Sequence, residues 1–266
     1  MMLRDSFVEL PASPLAPGMS PVRIALREYG AGVPLVFLHG GWGYEVYPFD
    51  RQIAALSSHY HIVIPDRSGY GGSTAIEKLP TDFHQRAAAE TLAVIDARGL
   101  ERPRLWGHSD GAIIALLVGL AAPDRIAGAI VEATHYFKRK PRSRAFFENI
   151  GAAPRSPIVG MHARAWLKIG DEAASPTEDF YGGRLSELRT PVLVVHGALD
   201  PRTEPGELDA LRAALERKTK VLRHFCVCRD GGHSPHSEAP TADDVTRAAK
   251  TFMTAVAQGF SPATSR

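Results

Sequence analysis

One short segment, Gly107-His108-Ser109-Asp110-Gly111, restricts the possible folds of this chain more than any other. An apolar run at residues 103–106 precedes it and a longer one at 112–117 follows it, which predicts a strand, a sharp turn and a helix. Glycines two residues to either side leave room for the chain to reverse, and a serine at such a bend adopts a strained backbone that exposes its hydroxyl. The segment therefore predicts a nucleophilic serine, with an ordinary helix N-cap as the competing interpretation.

Other apolar runs predict the remainder of a sheet. Continuously apolar strands of this kind are typical of positions buried on both faces. They lie at residues 34–39, 62–65, 126–131 and 192–196, while residues 22–29 alternate as a half-exposed strand and 221–228 form a further strand. Segments with apolar residues at helical spacing lie at 82–98, 206–216 and 242–257. Strands that alternate with helices predict an α/β fold with a mostly parallel, doubly wound sheet.

The interval from His135 to Leu188 breaks this alternation, because it contains scattered prolines and no strong strand. Its aromatic residues are Tyr136, Phe137, Phe146, Phe147, Trp166, Phe180 and Tyr181. We interpret residues 135–188 as a short helical lid of about fifty residues over the sheet edge, inserted into a single domain of residues 1–266.

Composition limits the classes of function. The chain has 266 residues, of which 44% are hydrophobic and 23% charged, and a formal net charge of +2. These values are ordinary for a globular protein and favour neither a nucleic-acid nor a membrane partner. Residues 1–20 contain no apolar signal region, and no apolar stretch approaches the roughly 20 residues that a membrane span needs. We therefore expect a cytoplasmic protein.

The two cysteines, Cys226 and Cys228, share one face of a predicted strand. Their Cα atoms would lie about 6.6 Å apart, at roughly 3.3 Å per residue. That separation is at the far end of disulfide geometry, so we expect reduced thiols.

A nucleophilic serine needs a neighbouring base, and the base needs a group that orients it. Asp200 follows the strand at 192–196, and His233 follows two glycines after the last predicted strand. The carboxyl ends of parallel strands share one edge of a sheet, so these residues should meet Ser109 there. The sequence thus predicts a triad of Ser109, His233 and Asp200.

Two rivals remain open. Glu132 stands at the end of the strand before the lid and competes with Asp200, which could instead form a turn with the proline that follows it. His236 competes with His233 as the base. The Gly-Gly-His spacing favours His233.

No metal or cofactor is expected. His59 and His61 share a strand face without a third ligand of fitting spacing. Residues 69–72 are rich in glycine but lack the Lys-Ser/Thr helix start of a phosphate loop. His39 and His108 flank the predicted site and are interpreted as structural.

From about residue 22 to 257 the chain resembles the α/β-hydrolase superfamily. The matching segments are His39-Gly40-Gly41-Trp42-Gly43, residues 66–73, the Ser109 turn, the Asp200 loop and Gly232-His233. The resemblance implies an oxyanion hole formed by the backbone N–H groups of Gly41 and Asp110, with Trp42 as the second choice. It also disfavours epoxide hydrolases and haloalkane dehalogenases, which use an aspartate where this chain has Ser109.

Asp110 is the unusual part of the motif. Two like charges 5 Å apart, at an effective dielectric constant near 20, repel by about 3 kcal/mol, so a carboxylate beside a developing oxyanion should oppose catalysis. Either the side chain points into a hydrogen-bonded pocket, or a cationic substrate pairs with it. The Ser-Asp-Gly segment resembles valacyclovirase-like enzymes, which hydrolyse amino-acid esters and use this acid to hold the substrate ammonium.

We therefore expect a serine hydrolase that cleaves a carboxylic ester or related acyl bond through an acyl-enzyme, with amino-acid esters as one candidate class. Amidase or aminopeptidase, lactonase and C–C bond hydrolase activities remain alternatives on the same triad. A non-catalytic protein that binds a small ligand is the alternative from another class. The predicted substrate contacts are Asp110, Trp42, Tyr136, Phe137 and Trp166. The expected partner is a small ester-type substrate, and the oligomeric state stays open.

Overall fold

The computed structural model describes residues 4–217 and 221–259. Within these ranges eight strands form one sheet: β1 (Arg4–Leu10), β2 (Val22–Tyr29), β3 (Val33–Leu38), β4 (Tyr60–Pro65), β5 (Arg104–His108), β6 (Gly128–Glu132), β7 (Val192–Gly197) and β8 (Arg223–Cys228). Their order across the sheet is β1-β2-β4-β3-β5-β6-β7-β8. Strand β2 is antiparallel to β1 and β4, and the other neighbours are parallel. The predicted mostly parallel sheet is confirmed.

Helices cover both faces of this sheet. The described helices are α1 (Asp50–Leu56), α2 (Phe83–Ala97), α3 (Asp110–Ala121), α4 (Arg144–Ala152), α5 (Pro157–Glu172), α6 (Glu207–Glu216) and α7 (Ala242–Ala257). Short 3-10 turns lie at Tyr44–Val46, Pro123–Arg125, Pro141–Ser143 and Arg184–Glu187. Side chains of α1 and α7 pack into one apolar core, and those of α2, α3 and α6 into the other. The sheet therefore separates two apolar cores, as expected for a doubly wound fold.

The sequence reading missed two elements. Strand β1 lies at the edge of the sheet, where Asp5 pairs with Arg27 and Glu9 with Arg23. Its many polar residues leave no clear alternation of apolar and polar positions, so the sequence does not predict it. Helix α1 has only seven residues, too few for a strong periodic signal. Its buried Ile53 and Leu56 are held by tertiary packing.

The connection between β6 and β7, residues 133–191, carries helices α4 and α5. Side chains of both helices join the core that α2 and α3 also line, among them Phe147, Trp166 and Ile169. The two helices pack on each other and against the carboxyl edge of the sheet near the Ser109 turn. The interpretation of residues 135–188 as a lid stays a prediction.

Two further expectations concern the thiols and the membrane. Cys226 and Cys228 both lie on β8 as free thiols, with Cys228 buried and Cys226 partly exposed. None of the helices in the described ranges combines the length and the apolar character that crossing a bilayer requires.

Candidate active site

Ser109 occupies the sharp turn that its motif predicts. It lies between β5 and α3 with φ 56° and ψ −118°, a conformation that costs a non-glycine residue of order 1–3 kcal/mol. Its backbone N–H donates to the carbonyl of Glu132 at 2.9 Å, which ties the turn to β6. A Cβ atom on Gly107 would lie 2.0 Å from the Gly111 carbonyl oxygen. A Cβ atom on Gly111 would lie 2.0 Å from the Leu38 carbonyl oxygen of β3, so the space available requires glycine at both positions.

The structure brings the three predicted triad residues together. His233 Nε2 lies 3.2 Å from Ser109 Oγ, and His233 Nδ1 lies 2.9 Å from Asp200 Oδ2. Ser109 follows β5, Asp200 follows β7 and His233 follows β8. All three are buried, with exposures of 8%, 6% and 7% in that order. This is the geometry in which a histidine can accept the serine proton while a carboxylate holds its other nitrogen.

Burial and charge set the protonation of this triad. Burial would raise the pKa of the Asp200 carboxyl, but the hydrogen bond and charge of His233 outweigh it and lower the pKa to about 2. A further bond from the Arg202 backbone N–H acts in the same direction. Burial lowers the pKa of His233, and the Asp200 hydrogen bond opposes this in part. At neutral pH His233 is thus neutral, with Nδ1–H donated to Asp200 and the Nε2 lone pair facing Ser109.

The two rivals of the triad pair with each other. Glu132 Oε1 accepts from His236 Nδ1 at 2.8 Å and from the His236 backbone N–H at 2.9 Å. His236 Nε2 lies 3.2 Å from the Tyr47 carbonyl oxygen. Both side chains are fully buried, and their hydrogen bonds anchor the chain three residues beyond His233.

One group among residues 4–217 and 221–259 has metal-ligand spacing. Ligand atoms of His108, Glu132 and His236 lie within 4.8 Å of one another. Hydrogen bonds account for this cluster: Glu132 and His236 pair with each other, and His108 Nε2 lies 3.0 Å from both the His233 carbonyl oxygen and Ser234 Oγ. His108 thus holds the loop that carries His233 and Ser234.

Side-chain donors hold the backbone carbonyl groups of the loop after β3. The Arg67 guanidinium donates to the carbonyls of His39 and Gly40, the latter at 2.9 Å, and the Tyr70 hydroxyl donates to the Gly41 carbonyl at 3.0 Å. The His39 ring accepts from the Arg67 N–H at Nε2, so its Nδ1–H donates to the Gly40 carbonyl at 2.7 Å. The N–H and C=O of a trans peptide point in opposite directions. The Gly41 N–H therefore points away from Arg67.

The Asp110 carboxylate lies in a hydrogen-bonded pocket, the first of the two arrangements considered above. His84 Nε2 and Trp166 Nε1 lie 3.0 and 3.1 Å from Oδ1, and His162 Nε2 lies 2.5 Å from Oδ2. Asp110 is 1% exposed. Burial would raise the pKa of its carboxyl, but His162 and His84 hold it well below its usual range. Because three donors already surround it, this placement argues against the ammonium-binding role suggested by the Ser-Asp-Gly resemblance.

The aromatic residues predicted to contact substrate separate into two groups. Trp42 packs edge-on against the His162 ring at 4.9 Å between centroids, and Trp166 contacts Asp110, so both lie beside the Ser109 turn. Tyr136 and Phe137 instead donate their backbone N–H groups to a carboxylate oxygen of Glu207. In the described part of the chain, none of their hydrogen bonds or ring contacts reaches the triad.

Three histidines near the site were missed by sequence reasoning. His84 and His162 bind the Asp110 carboxylate from α2 and α5, and His135 stacks on His233 at 5.7 Å between ring centroids. Burial lowers the pKa of His135 well below its usual range. None of the three lies in a motif, since their positions depend on how the β6–β7 connection packs. The one available signal was that His135 and His162 lie in the segment predicted to cover the sheet edge.

A mostly parallel sheet with a strained serine between a central strand and the following helix, and a histidine after the last strand, defines the α/β-hydrolase class. A family model described as Alpha/beta hydrolase family matches residues 35–243, and the chain belongs to that family. This confirms the family and the fold that the sequence predicts.

Known relatives are hydrolases of several kinds. A putative carbamate hydrolase, RutD, from Pseudomonas savastanoi pv. phaseolicola is 29% identical over 242 residues, which cover 79% of this chain and 90% of the relative. Epoxide hydrolase A from Mycobacterium tuberculosis is 32% identical over 134 residues, which cover 49% of this chain and 42% of the relative. The chain spans less than half the length of the epoxide hydrolases it matches. These relatives support a hydrolase, without a particular substrate.

A solved structure gives the same fold. The esterase from Thermogutta terrifontis superposes with a TM-score of 0.71 at 20% identity, covering 95% of this chain and 99% of that one. At that identity the likeness concerns the fold alone.

Proposed function

We propose that this chain is a serine hydrolase that cleaves a carboxylic ester or a related acyl bond, with Ser109 as nucleophile, His233 as general base and Asp200 as its orienting acid. The observation that carries the proposal is the position of His233, whose two ring nitrogens lie within hydrogen-bond distance of Ser109 Oγ and Asp200 Oδ2. An aspartate nucleophile, which epoxide hydrolases use, has no equivalent at position 109.

The proposed reaction has two steps, acylation of Ser109 and hydrolysis of the acyl-enzyme. Ser109 Oγ attacks the carbonyl carbon while its proton passes to His233 Nε2, and the imidazolium then protonates the leaving alkoxide as the acyl–oxygen bond breaks. A water next gives a proton to His233 Nε2 as its oxygen attacks the acyl carbon, and the imidazolium returns that proton to Ser109 Oγ as the acyl–Oγ bond breaks and the acid leaves. Asp200, whose pKa lies near 2, stays ionised and stabilises the imidazolium.

The oxyanion is bound by the backbone N–H groups of Gly41 and Asp110. The fixed carbonyls of the β3 loop support this assignment, because they turn the Gly41 N–H away from Arg67. Asp110 supplies the N–H after the nucleophile at the start of α3. Preorganised donors of this kind stabilise the transition state by roughly 3 kcal/mol each.

Residues 135–188 act as a lid in this proposal. Trp42 and Trp166 are the proposed apolar contacts for substrate, because both lie against the groups that surround Asp110. The buried, fully bonded Asp110 carboxylate favours neutral acyl groups over amino-acid esters. Since one relative matched over most of its length is named a putative carbamate hydrolase, carbamates are the first class to compare with esters.

The test is the hydrolysis of p-nitrophenyl acetate by Ser109→Ala. We expect loss of at least a thousandfold in turnover with an unchanged circular dichroism spectrum and melting temperature, because the variant lacks the nucleophile. Ser58→Ala, at an exposed serine after α1, is the matched control and should keep full activity. Turnover by Ser109→Ala at the wild-type level would refute the assignment.

A fluorophosphonate probe separates an enzyme from a binding protein. Stoichiometric labelling of wild type that disappears in Ser109→Ala supports catalysis. A folded wild-type protein that resists labelling would favour a non-catalytic ligand-binding role.

A further inference from the structure

The ring of His162 occupies the space beside Gly41 that a side chain would otherwise fill. A Cβ atom on Gly41 would lie 2.1 Å from His162 Nε2 and 2.7 Å from Asp110 Oδ2. Gly41 is not among the glycines with positive φ, so its backbone conformation suits any residue. Glycine is needed at position 41 because a side chain from α5, more than a hundred residues further along the chain, lies there instead.

The same ring also holds Asp110. Its Nε2 lies 2.5 Å from Asp110 Oδ2, and Trp166, one helical turn further along α5, donates to Oδ1 at 3.1 Å. His162 therefore touches both residues whose backbone N–H groups form the proposed oxyanion hole. Apart from His162 and Trp166, no described residue of α4 or α5 has a hydrogen bond to Asp110.

The surroundings of His162 fix its ring firmly. The side chain is 3% exposed and packs against Trp42 and Phe83, at 4.9 and 5.7 Å between ring centroids. Its Nδ1 has no hydrogen-bond partner among the described residues. An apolar residue would fill this space equally well, but it would leave one oxygen of a buried carboxylate without a donor, which is costly. The histidine is thus explained by Asp110 and not by packing alone.

We propose that His162 is a positioning residue for the oxyanion hole: carried by the lid, it fixes Gly41 against Asp110, so that docking of α5 completes the pair of N–H donors. The inference rests on the proposed hydrolase function. Because an oxyanion is bound only in the transition state, loss of His162 affects kcat much more than KM.

The experiment measures kcat and KM for p-nitrophenyl acetate in His162→Ala, His162→Gln, Gly41→Ala and the double variant Gly41→Ala/His162→Ala. We expect His162→Ala to lower kcat by 10- to 100-fold with KM changed less than threefold. His162→Gln should recover most of kcat, because its amide N–H reaches the place of Nε2. Lys168→Ala, on the exposed face of α5, is the matched control and should match wild type.

The double variant tests the contact itself. Gly41→Ala alone should lower kcat strongly, because its Cβ displaces the His162 ring. Once His162 is alanine, the same change should cost far less than it does in wild type, since only the 2.7 Å contact of the new Cβ atom with Asp110 Oδ2 then remains. If the fold loss of kcat in the double variant equals the product of the two single losses, the proposed contact between residues 41 and 162 is refuted. A kcat for His162→Ala within twofold of wild type would refute the positioning role.

Fluorophosphonate labelling and a urea unfolding curve accompany each variant. A wild type that is folded but neither labels nor hydrolyses ester refutes the proposed function itself. A wild type that labels and hydrolyses, with His162→Ala equal to it, refutes only the role of His162. A loss of kcat that merely follows the folded fraction shows a structural role and also overturns the inference.

Discussion

Besides the Asp110 cluster, two buried carboxylate–histidine pairs of the described residues lie near Ser109, and exchanging each carboxylate for its amide should have different effects. Asp200 holds His233 at 2.9 Å, and Glu132 holds His236 at 2.8 Å. We expect Asp200→Asn to abolish most catalysis with little effect on stability. Glu132→Gln should destabilise the fold and leave the chemistry nearly intact.

The loss in Asp200→Asn follows from the tautomer of His233. The asparagine amide donates to Nδ1, so the ring proton moves to Nε2 and that nitrogen can no longer accept the Ser109 proton. In a serine triad this change lowers kcat by about 10⁴, equivalent to a rise of about 5 kcal/mol in the barrier. The amide is nearly the same size as the carboxyl and accepts the same Arg202 bond, so the fold should remain.

The cost in Glu132→Gln follows from the hydrogen bonds that the Glu132 carboxylate accepts. It accepts two bonds from His236 and one from Trp106 Nε1 at 3.3 Å, and both Glu132 and His236 are fully buried. An amide nitrogen in place of one carboxylate oxygen leaves a buried donor without an acceptor, so we expect the free energy of unfolding to fall by about 2 kcal/mol. That is survivable in a domain with roughly 5–15 kcal/mol of stability.

The assay combines kcat for p-nitrophenyl acetate at pH 8 with urea unfolding at 25 °C. Asp243→Asn, at an exposed carboxylate in the first turn of α7, is the matched amide control. Glu132→Gln should keep kcat within about fivefold of wild type after correction for the folded fraction. A fully folded Glu132→Gln that loses activity as severely as Asp200→Asn would refute the division of roles between the two pairs.

Two pH effects follow from the buried histidines. Burial lowers the pKa of His233 and catalysis needs its neutral form, so the acid limb of the kcat/KM profile should have its midpoint below pH 6.5; a midpoint above 6.5 would contradict this. Burial also lowers the pKa of His39, His108 and His135 well below the value near 6.5 of the unfolded chain. Below pH 6.5 the unfolded state therefore binds more protons, and the free energy of unfolding should fall by about 1.4 kcal/mol per pH unit for each such histidine. Urea curves at pH 7.5 and 5.5 measure the fall, and equal stability at both would refute it.

The parts that local patterns specify could be predicted from the sequence. Buried parallel strands are continuously apolar, and the residues that follow them converge on one edge whatever the details of packing. This is why Ser109, Asp200 and His233 could be placed together before any coordinates. Edge strand β1 and the short helix α1 lack such patterns and were missed.

The pairing of the buried acids and histidines at the site depends on packing between residues that are far apart in the sequence. Glu132 and Asp200 both follow strands, and His233 and His236 lie in one loop, so the sequence favours the correct pairing only weakly. The two pairs differ in burial, since the side chains of Glu132 and His236 are fully buried whereas that of His233 is 7% exposed. The contact of His162 with Asp110 spans 52 residues and is determined by how α5 lies on the sheet edge.

The space shared by Gly41 and His162 also limits how this protein can recombine with its relatives. A chimera whose 135–188 segment carried a smaller residue in place of His162 would have a void beside Gly41. A chimera with a bulkier residue at position 41 would drive that side chain into the retained α5. Residues 41 and 162 therefore have to be exchanged together, and libraries that replace residues 135–188 of this chain should vary both positions.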